Sequence, residues 1–350
     1  MHSIASTRLG TAIVIALVAI VSLTLAGCDR TPEPLVDSRE ALGTIVSVTA
    51  YPGDGADEAA VGAGIDLAFR EMARVEAALD VYDPTSALAE INSSGEGTLP
   101  PEALKVLDSR DELGVTEAFS PFLLEVVRLY DFEGGGAVPQ PGALLRALVA
   151  ADGWRRDGAY VRQGADSQRT LQDGFPGGLD FGGAAKGLAL GDALTALEIS
   201  APVSAALVTA GSTTLTFGHK SNGEPWLIGI EDPRDPEATI ATVEASDHVS
   251  VSTSGDYQRY FERDGLRYHH ILDPRSGLPA RGLRSLTVVG NNGGLESDIL
   301  STALFVMGPD KATSYAEEHR LGLVLVDDEG RIRIVPGPAN ASWRIVETTQ

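Results

Sequence analysis

Four short stretches of this chain hold polar residues and glycines at spacings that packing alone does not require. The first is Leu179-Asp180-Phe181-Gly182-Gly183-Ala184-Ala185-Lys186-Gly187. It reads as a strand end carrying an acid, then two glycines, then a helix start. Glycine lets a ligand approach the backbone closely. The free N–H groups of a helix start favour anions, and Lys186 in the first turn is placed to reach a phosphate. The stretch matches neither GxGxxG nor GxxxxGK[ST], which excludes an ordinary dinucleotide fold or a P-loop. The second stretch, Ser252-Thr253-Ser254-Gly255-Asp256-Tyr257, sets hydroxyls, a glycine and an acid at a strand end and runs on to Arg259-Tyr260-Phe261. The third, Tyr268-His269-His270-Ile271-Leu272-Asp273-Pro274-Arg275-Ser276-Gly277, offers His270 as a general base, because imidazole titrates near neutral pH. The fourth is Glu296-Ser297-Asp298-Ile299-Leu300-Ser301-Thr302. Asp298 and Thr302 share a helix face, and a carboxylate with a hydroxyl suits a hard, oxygen-seeking cation such as Mg²⁺. Two ligands do not complete such a site, so further oxygens are required.

Each stretch also has a plainer structural reading. Gly-Gly before a helix is a common tight turn, and the Ser-Gly-Asp run is ordinary turn chemistry. A histidine on a strand is often structural or exposed. Asp and Ser at a helix start satisfy free N–H groups of that same helix.

The elements that must position these groups follow from periodicity. Thr44–Tyr51 is β-branched and roughly alternating, a strand signature. Residues 58–80 carry Ile65, Leu67, Phe69, Met72, Val75 and Leu79 at helical spacing. Tyr82-Asp83-Pro84-Thr85-Ser86 stops that helix and leads into a short one around Ala87–Asn92. Helices are expected over 101–114, 120–131, 183–198, 295–307 and 309–320. Residues 133–142 read as a loop, and the Gly- and Asp-rich region to about 178 as short strands. Strands are expected over 205–216, 226–231, 248–253, 267–272 and 283–290, with a closing hairpin of 322–327 and 331–335. Helices lead and strands dominate later, which predicts an α+β domain with mixed or antiparallel sheets flanked by helices.

The N-terminus carries an address. Arg8 precedes an uncharged apolar run from Leu9 to Gly27, which ends in Leu25-Ala26-Gly27-Cys28. A basic start, an apolar core and a small-residue end describe a secretory signal. Leu-Ala-Gly-Cys is similar to the bacterial lipobox, which makes Cys28, the chain's single cysteine, a lipidation site. The competing reading is an uncleaved transmembrane anchor; both place the body outside the cytoplasm. Expected divisions are a signal peptide at 1–27, a polar, proline-containing tether at 28–40 reaching up to ~40 Å, and a single large domain at 41–345. The net charge is −22, and loss of the signal, which contains one arginine and no acid, leaves the body more acidic still. Such a surface repels phosphate backbones and excludes nucleic acid as a partner. An anionic small ligand would need local help from a cation or from backbone N–H groups.

Taken together and in this order, the four stretches resemble the FAD:protein FMN transferases, the ApbE family. The resemblance extends to Leu42-Gly43-Thr44, to Tyr82-Asp83-Pro84-Thr85-Ser86 and to Trp226-Leu227-Ile228-Gly229-Ile230-Glu231-Asp232-Pro233-Arg234, so it spans about residues 40–340. Three positions depart from the family pattern: Leu42 stands where Met is usual, Ser120 where Asp is common, and Gly211-Ser212-Thr213 where the family has a Gly-Gly-Asn-like stretch.

The resemblance implies an ApbE-like, T-fold-related domain. It implies an enzyme that uses Mg²⁺, cleaves FAD, releases AMP and places FMN on a Thr or Ser hydroxyl of a target protein. It implies lipid anchorage on the outer face of the cell (inner) membrane and, as acceptor, an exported subunit of a respiratory or electron-transfer complex. Carried over by position, Asp298, Thr302 and the Gly183 carbonyl bind the metal. Asp180 and Lys186 bind FAD, and Tyr82, Leu42 and Ala118-Phe119-Ser120 line its pocket. Ile271 and Leu272 flank the flavin, and His270 assists proton transfer. Two rivals use the same residues: an FAD pyrophosphatase giving FMN and AMP, and a non-catalytic FAD-binding lipoprotein. A generic solute-binding lipoprotein would instead show two similar α/β lobes.

Overall fold

The computed structural model describes residues 33–164 and 177–348. The expected signal peptide, Cys28 and the first part of the expected tether lie outside the described residues. The body is built on one eight-stranded antiparallel sheet. Its strands, in spatial order, are β1 (Leu35–Ala41), β2 (Thr44–Pro52), β6 (Val203–Ala210), β7 (Thr213–Gly218), β10 (Val249–Gly255), β13 (Leu283–Gly290), β14 (Gly322–Asp327) and β15 (Ile332–Val335). One face is covered by helices. These include α1 (Glu58–Leu79), α6 (Gly182–Ser200), α7 (Gly294–Met307) and α8 (Pro309–His319). The other face is covered by a three-stranded sheet of β16 (Trp343–Glu347), β9 (Asp235–Ala245) and β8 (Trp226–Asp232). This is the expected α+β architecture.

Two cores result, one on each face of the large sheet. The helix-side core takes in Ile65, Met72, Leu190, Leu197, Phe305 and Leu286. The sheet-side core is made by Trp226, Ile228, Ile230, Val243, Trp343 and the outward valines Val249, Val251, Val289 and Val324. Helix α6 is buried nearly all round, as a helix between helices and a sheet must be. It crosses α7 at very short range: a Cβ on Gly187 would run into the Gly294 carbonyl and Asp298 Cβ, and one on Gly294 into the Gly187 carbonyl. Only residues without a side chain allow that approach.

Smaller elements frame one edge of the body. They are α2 (Ala87–Ser94), α3 (Pro101–Glu112), α4 (Leu124–Tyr130), α5 (Pro141–Asp152), the sheet of β3 (Glu96–Thr98), β5 (Tyr160–Gln163) and β4 (Trp154–Asp157), and the hairpin of β11 (Tyr260–Arg263) and β12 (Leu266–His269).

Several expectations need correction. The tether does not run to residue 40: from Leu35 on, the chain is an edge strand paired in full register with β2. Its polar composition conceals it, but Arg39 lies over the Phe69 ring at 4.3 Å and donates to Asp66 at 2.6 Å, which ties the strand to α1. The single strand expected over 205–216 is a hairpin, β6 and β7, broken at Gly211 by a positive φ. Helix α5 and strands β9 and β16 were not expected from the pattern; α5 lies directly after the loop Glu133–Gln140. Strand β12 ends at His269, so Ile271 and Leu272 belong to the loop beyond it. Leu179-Asp180 is not a strand end. It is an extended segment clamped by Asn92, whose amide donates to the Leu179 carbonyl at 2.9 Å and accepts from Leu179 N–H at 2.7 Å.

Candidate active site

The four motif stretches converge on one cleft of about 290 Å³. Its wall is the first turn of α6, its floor the middle of α7 and the end of β10, and its rim the segment after β12 together with α4 and the loop that follows it. Twelve of the thirteen binding and catalytic residues named from the sequence line it: Tyr82, Ala118, Phe119, Ser120, Asp180, Gly183, Lys186, His270, Ile271, Leu272, Asp298 and Thr302. Leu42 does not line it. It occupies the two-residue turn between β1 and β2 at φ 54°, beside Gly43 at φ 68°. That is the geometry a tight hairpin demands, and its side chain packs against the main core instead.

Asp298 is the most constrained of these groups and is 5% exposed. It lies one turn inside α7, so it does not cap its own helix. Its Oδ2 accepts the Gly187 N–H of α6 at 2.8 Å, across the close helix crossing. Its Oδ1 accepts from Ser252 Oγ at 3.2 Å and from Thr213 Oγ1 at 3.4 Å. Thr302, one turn further along α7, keeps its hydroxyl beside Ser254 Oγ at 3.2 Å. Strand alternation explains why β10 supplies these partners: Val249 and Val251 face the sheet-side core, while Ser250, Ser252 and Ser254 face α7.

Asp180 folds back on the start of α6, its Oδ1 accepting Gly182 N–H at 2.8 Å, so the positive end of that helix faces the cleft. Gly183 follows, with Phe119 close beneath it. His270 stands on the opposite wall. Its backbone N–H donates to the Arg259 carbonyl at 3.1 Å, and its Nδ1 donates to the same oxygen at 3.3 Å. A carbonyl only accepts, so the Nδ1–H tautomer is selected and the Nε2 lone pair is left free. Burial, with Arg259 alongside, pushes the imidazole pKa down to about 3. Part of the ring still reaches the cleft surface, and at neutral pH it is uncharged. Its neighbour His269 points the other way, buried, with Nε2 donating to the Ala280 carbonyl at 2.9 Å. That bond pins the arm bearing Ile271 and Leu272. Tyr82 stands at the mouth, 67% exposed.

Sequence reasoning missed part of the lining. Arg128 and Arg259 add positive charge beside Lys186, and Asp131 and Glu133 add negative charge at the rim. Arg259 meets Glu133 only at 3.9 Å. Ser254, Thr253 and Ser212 also line the cleft; the alternation of Val and Ser along β10 was the available signal. Asp298, Thr302 and the Gly183 carbonyl bring oxygen donors to one cleft, a set that fits a hard cation. Among the described residues no group of three or more His, Cys, Asp or Glu is placed to hold a metal. A cation held here would rely on one carboxylate, neutral oxygens and the ligand it helps to bind.

A sequence profile of the ApbE family matches residues 42–325. The chain belongs to the ApbE family. The FAD:protein FMN transferase of Treponema pallidum is 32% identical over 296 residues, covering 79% of this chain and 80% of that one. The FAD:protein FMN transferase of Haemophilus influenzae is 28% identical over 341 residues, covering 94% and 96%. The crystal structure of the ApbE protein of Thermotoga maritima superposes with a TM-score of 0.73 at 28% identity, covering 86% of this chain and 96% of that chain. The ApbE match thus spans both walls of the cleft, from the turn before β2 to β14.

Proposed function

We propose that this chain is an FAD:protein FMN transferase, moving FMN from FAD to a Ser or Thr hydroxyl of an exported protein and releasing AMP. The observation that carries the reading is the convergence on one cleft of Lys186, His270, Asp298 and Thr302, which come from three separate stretches of sequence. The names borne by the ApbE relatives support it.

In this reading the acceptor hydroxyl oxygen attacks the FMN phosphorus of FAD. The bond from that phosphorus to the bridging oxygen breaks, and AMP leaves with the bridging oxygen. The hydroxyl proton passes to His270 Nε2, which is neutral and has no hydrogen-bond partner among the described residues. Little covalent help is needed in such a transfer; placement and charge neutralisation dominate. Lys186 and Arg259 supply positive charge to the diphosphate, and the N-terminus of α6 orients it. Mg²⁺ held by Asp298, Thr302 and the Gly183 carbonyl would offset the phosphate charge on a chain whose full sequence has a net charge of −22. Tyr82, Phe119, Ile271 and Leu272 provide apolar surface for the rings of FAD.

Residues 1–27 act as a signal peptide in this proposal and Cys28 as the lipid anchor on the outer face of the inner membrane. Acceptors would then be exported domains of respiratory or electron-transfer complexes. Incubation with FAD, MgCl₂ and an acceptor subunit is expected to give a covalently fluorescent acceptor after denaturation, with one AMP per flavin. FMN and AMP with an unlabelled acceptor would make the chain an FAD pyrophosphatase, and intact FAD recovered from the mixture would make it a carrier. Mass spectrometry of the mature protein is expected to find the lipid on Cys28; an unmodified Cys28 would remove the anchor.

A further inference from the structure

A continuous run of hydroxyls lies behind the Asp298 and Thr302 pair, on the helix-facing side of β10. Thr302 Oγ1 is 3.2 Å from Ser254 Oγ, and Ser254 Oγ is 3.0 Å from Ser301 Oγ. Ser301 Oγ is 3.0 Å from the Asp298 carbonyl oxygen and 3.3 Å from Ser252 Oγ. Ser252 Oγ is 3.1 Å from Thr213 Oγ1 and donates to Asp298 Oδ1. Thr213, Ser252 and Ser301 are fully buried and Ser254 nearly so, so protein partners settle where these protons go.

Each hydroxyl has one proton to give and two lone pairs to accept with. The run terminates on Asp298, whose carbonyl oxygen and carboxylate only accept. Protons therefore point toward Asp298. Ser252 gives its proton to the carboxylate and Ser301 to the carbonyl, which leaves Ser301 Oγ to accept from Ser254. Once Ser254 has donated to Ser301, its own lone pairs face Thr302, and the Thr302 proton has an acceptor away from the cleft. Among the described residues Ser254 is the hydrogen-bond partner of the Thr302 hydroxyl. The reverse polarity would aim the Thr302 proton into the cleft, where a cation would meet it.

We propose that Ser254 is a positioning residue: by accepting the Thr302 proton it turns the threonine lone pairs toward the cleft and makes that hydroxyl a cation ligand. The inference rests on the reading of Asp298 and Thr302 as cation ligands. It goes beyond that reading because Ser254 touches neither cation nor substrate in this role and acts through its neighbour. A neutral alcohol is a poor ligand when its proton has no fixed direction. A cation on the oxygen also makes the proton a stronger donor, so its acceptor contributes to affinity.

The test is Mn²⁺ binding by the full chain in detergent, followed as loss of the free-ion EPR signal, with saturating FAD and no acceptor protein. Ser254→Ala is expected to weaken Mn²⁺ binding by roughly 10–100-fold, the usual range for a group that orients a metal ligand. Ser254→Thr, which keeps the hydroxyl, should recover most of the loss. Ser254→Cys, a weak acceptor of similar size, should behave like Ser254→Ala and guards against a fold defect in any one variant, which thermal melting would show. On a Thr302→Val background, Ser254→Ala should have no further effect, whereas a general structural role would still lower affinity. Equal Mn²⁺ affinity in wild type and Ser254→Ala overturns the proposal and leaves the cation site standing. Failure of wild type to bind Mn²⁺, or unchanged binding in Asp298→Ala, overturns the cation site itself and the proposal with it.

Discussion

The two faces of the large sheet solve the same packing problem with opposite chemistry. On the sheet side, β10 presents Val249 and Val251 to a core of valines, isoleucines and two tryptophans. On the helix side, the same strand presents Ser250, Ser252 and Ser254 to α7. The dry face gains by removing apolar surface from water. The hydroxyl face gains little from burial and is tolerable only because its polar groups satisfy one another. That difference marks where the molecule keeps its chemistry: Asp298 is buried among donors that fix it, and its neighbour Thr302 opens onto the cleft.

The sharpest way to break the comparison is to remove the carboxylate. Asp298→Ala is expected to lower FMN transfer by about 10³-fold, in the range of losing one preorganised electrostatic group, while the melting temperature shows a folded protein. Flavin fluorescence of the acceptor band measures it; unchanged transfer would mean the hydroxyl face is merely structural. His270→Ala comes next, with an expected loss of about 10²-fold in kcat. That is the low end for a general base, because a ring whose pKa is pushed down to about 3 is a weak one.

On the dry face the sign of the outcome should invert. Val251→Ala is expected to cost about 1–3 kcal/mol of stability through lost burial and a small cavity, read by denaturant unfolding, with kcat unchanged. A loss of kcat without loss of stability would show that the two faces are not separable.

The smallest expected effect is in pH dependence. Because His270 stays neutral down to about 3 in the folded protein, kcat/KM should show no acid limb near 6.5 on its account; a limb there would place a charged imidazole in the cleft. The stability consequence has a definite direction. The unfolded imidazole binds its proton as pH falls through 6.5, while the folded one resists until about 3. The unfolded state therefore binds more protons in that window, and stability declines from pH 6.5 downward. Burial lowers His269 in the same direction. His270→Asn should flatten the decline in urea-unfolding free energy measured between pH 7 and 4.

Much of this site is legible in the sequence. Asp298 and Thr302 are one helical turn apart, and the spacing alone puts them on one face. Glycines before Lys186 pointed to a helix start at a ligand. The legible elements were those with strong local periodicity, such as α1, with Asp57 capping its first turn by accepting Ala60 N–H at 2.8 Å. Elements held by distant partners were not. Strand β9 contains a proline and several acids, and it is a strand because β8 and β16 flank it. Strand β1 looks like a linker until β2 and Arg39 give it a place. Leu42 was assigned by motif position, but a hairpin turn took it elsewhere.

By itself, then, the sequence determined residue types, local periods and the order of the motifs, because turns, helix faces and strand alternation depend on neighbours a few positions apart. It determined which groups were available: a carboxylate, hydroxyls, an imidazole, a lysine after glycines. The tertiary structure alone decided which oxygen each group turns to the cleft. Gly187 N–H reaches Asp298 only because two glycines let α6 and α7 touch. His270 takes one tautomer only because the Arg259 carbonyl lies beside it. Hydrogen bonds and helix contacts of that kind join residues far apart in the chain, and only the folded packing brings them within reach.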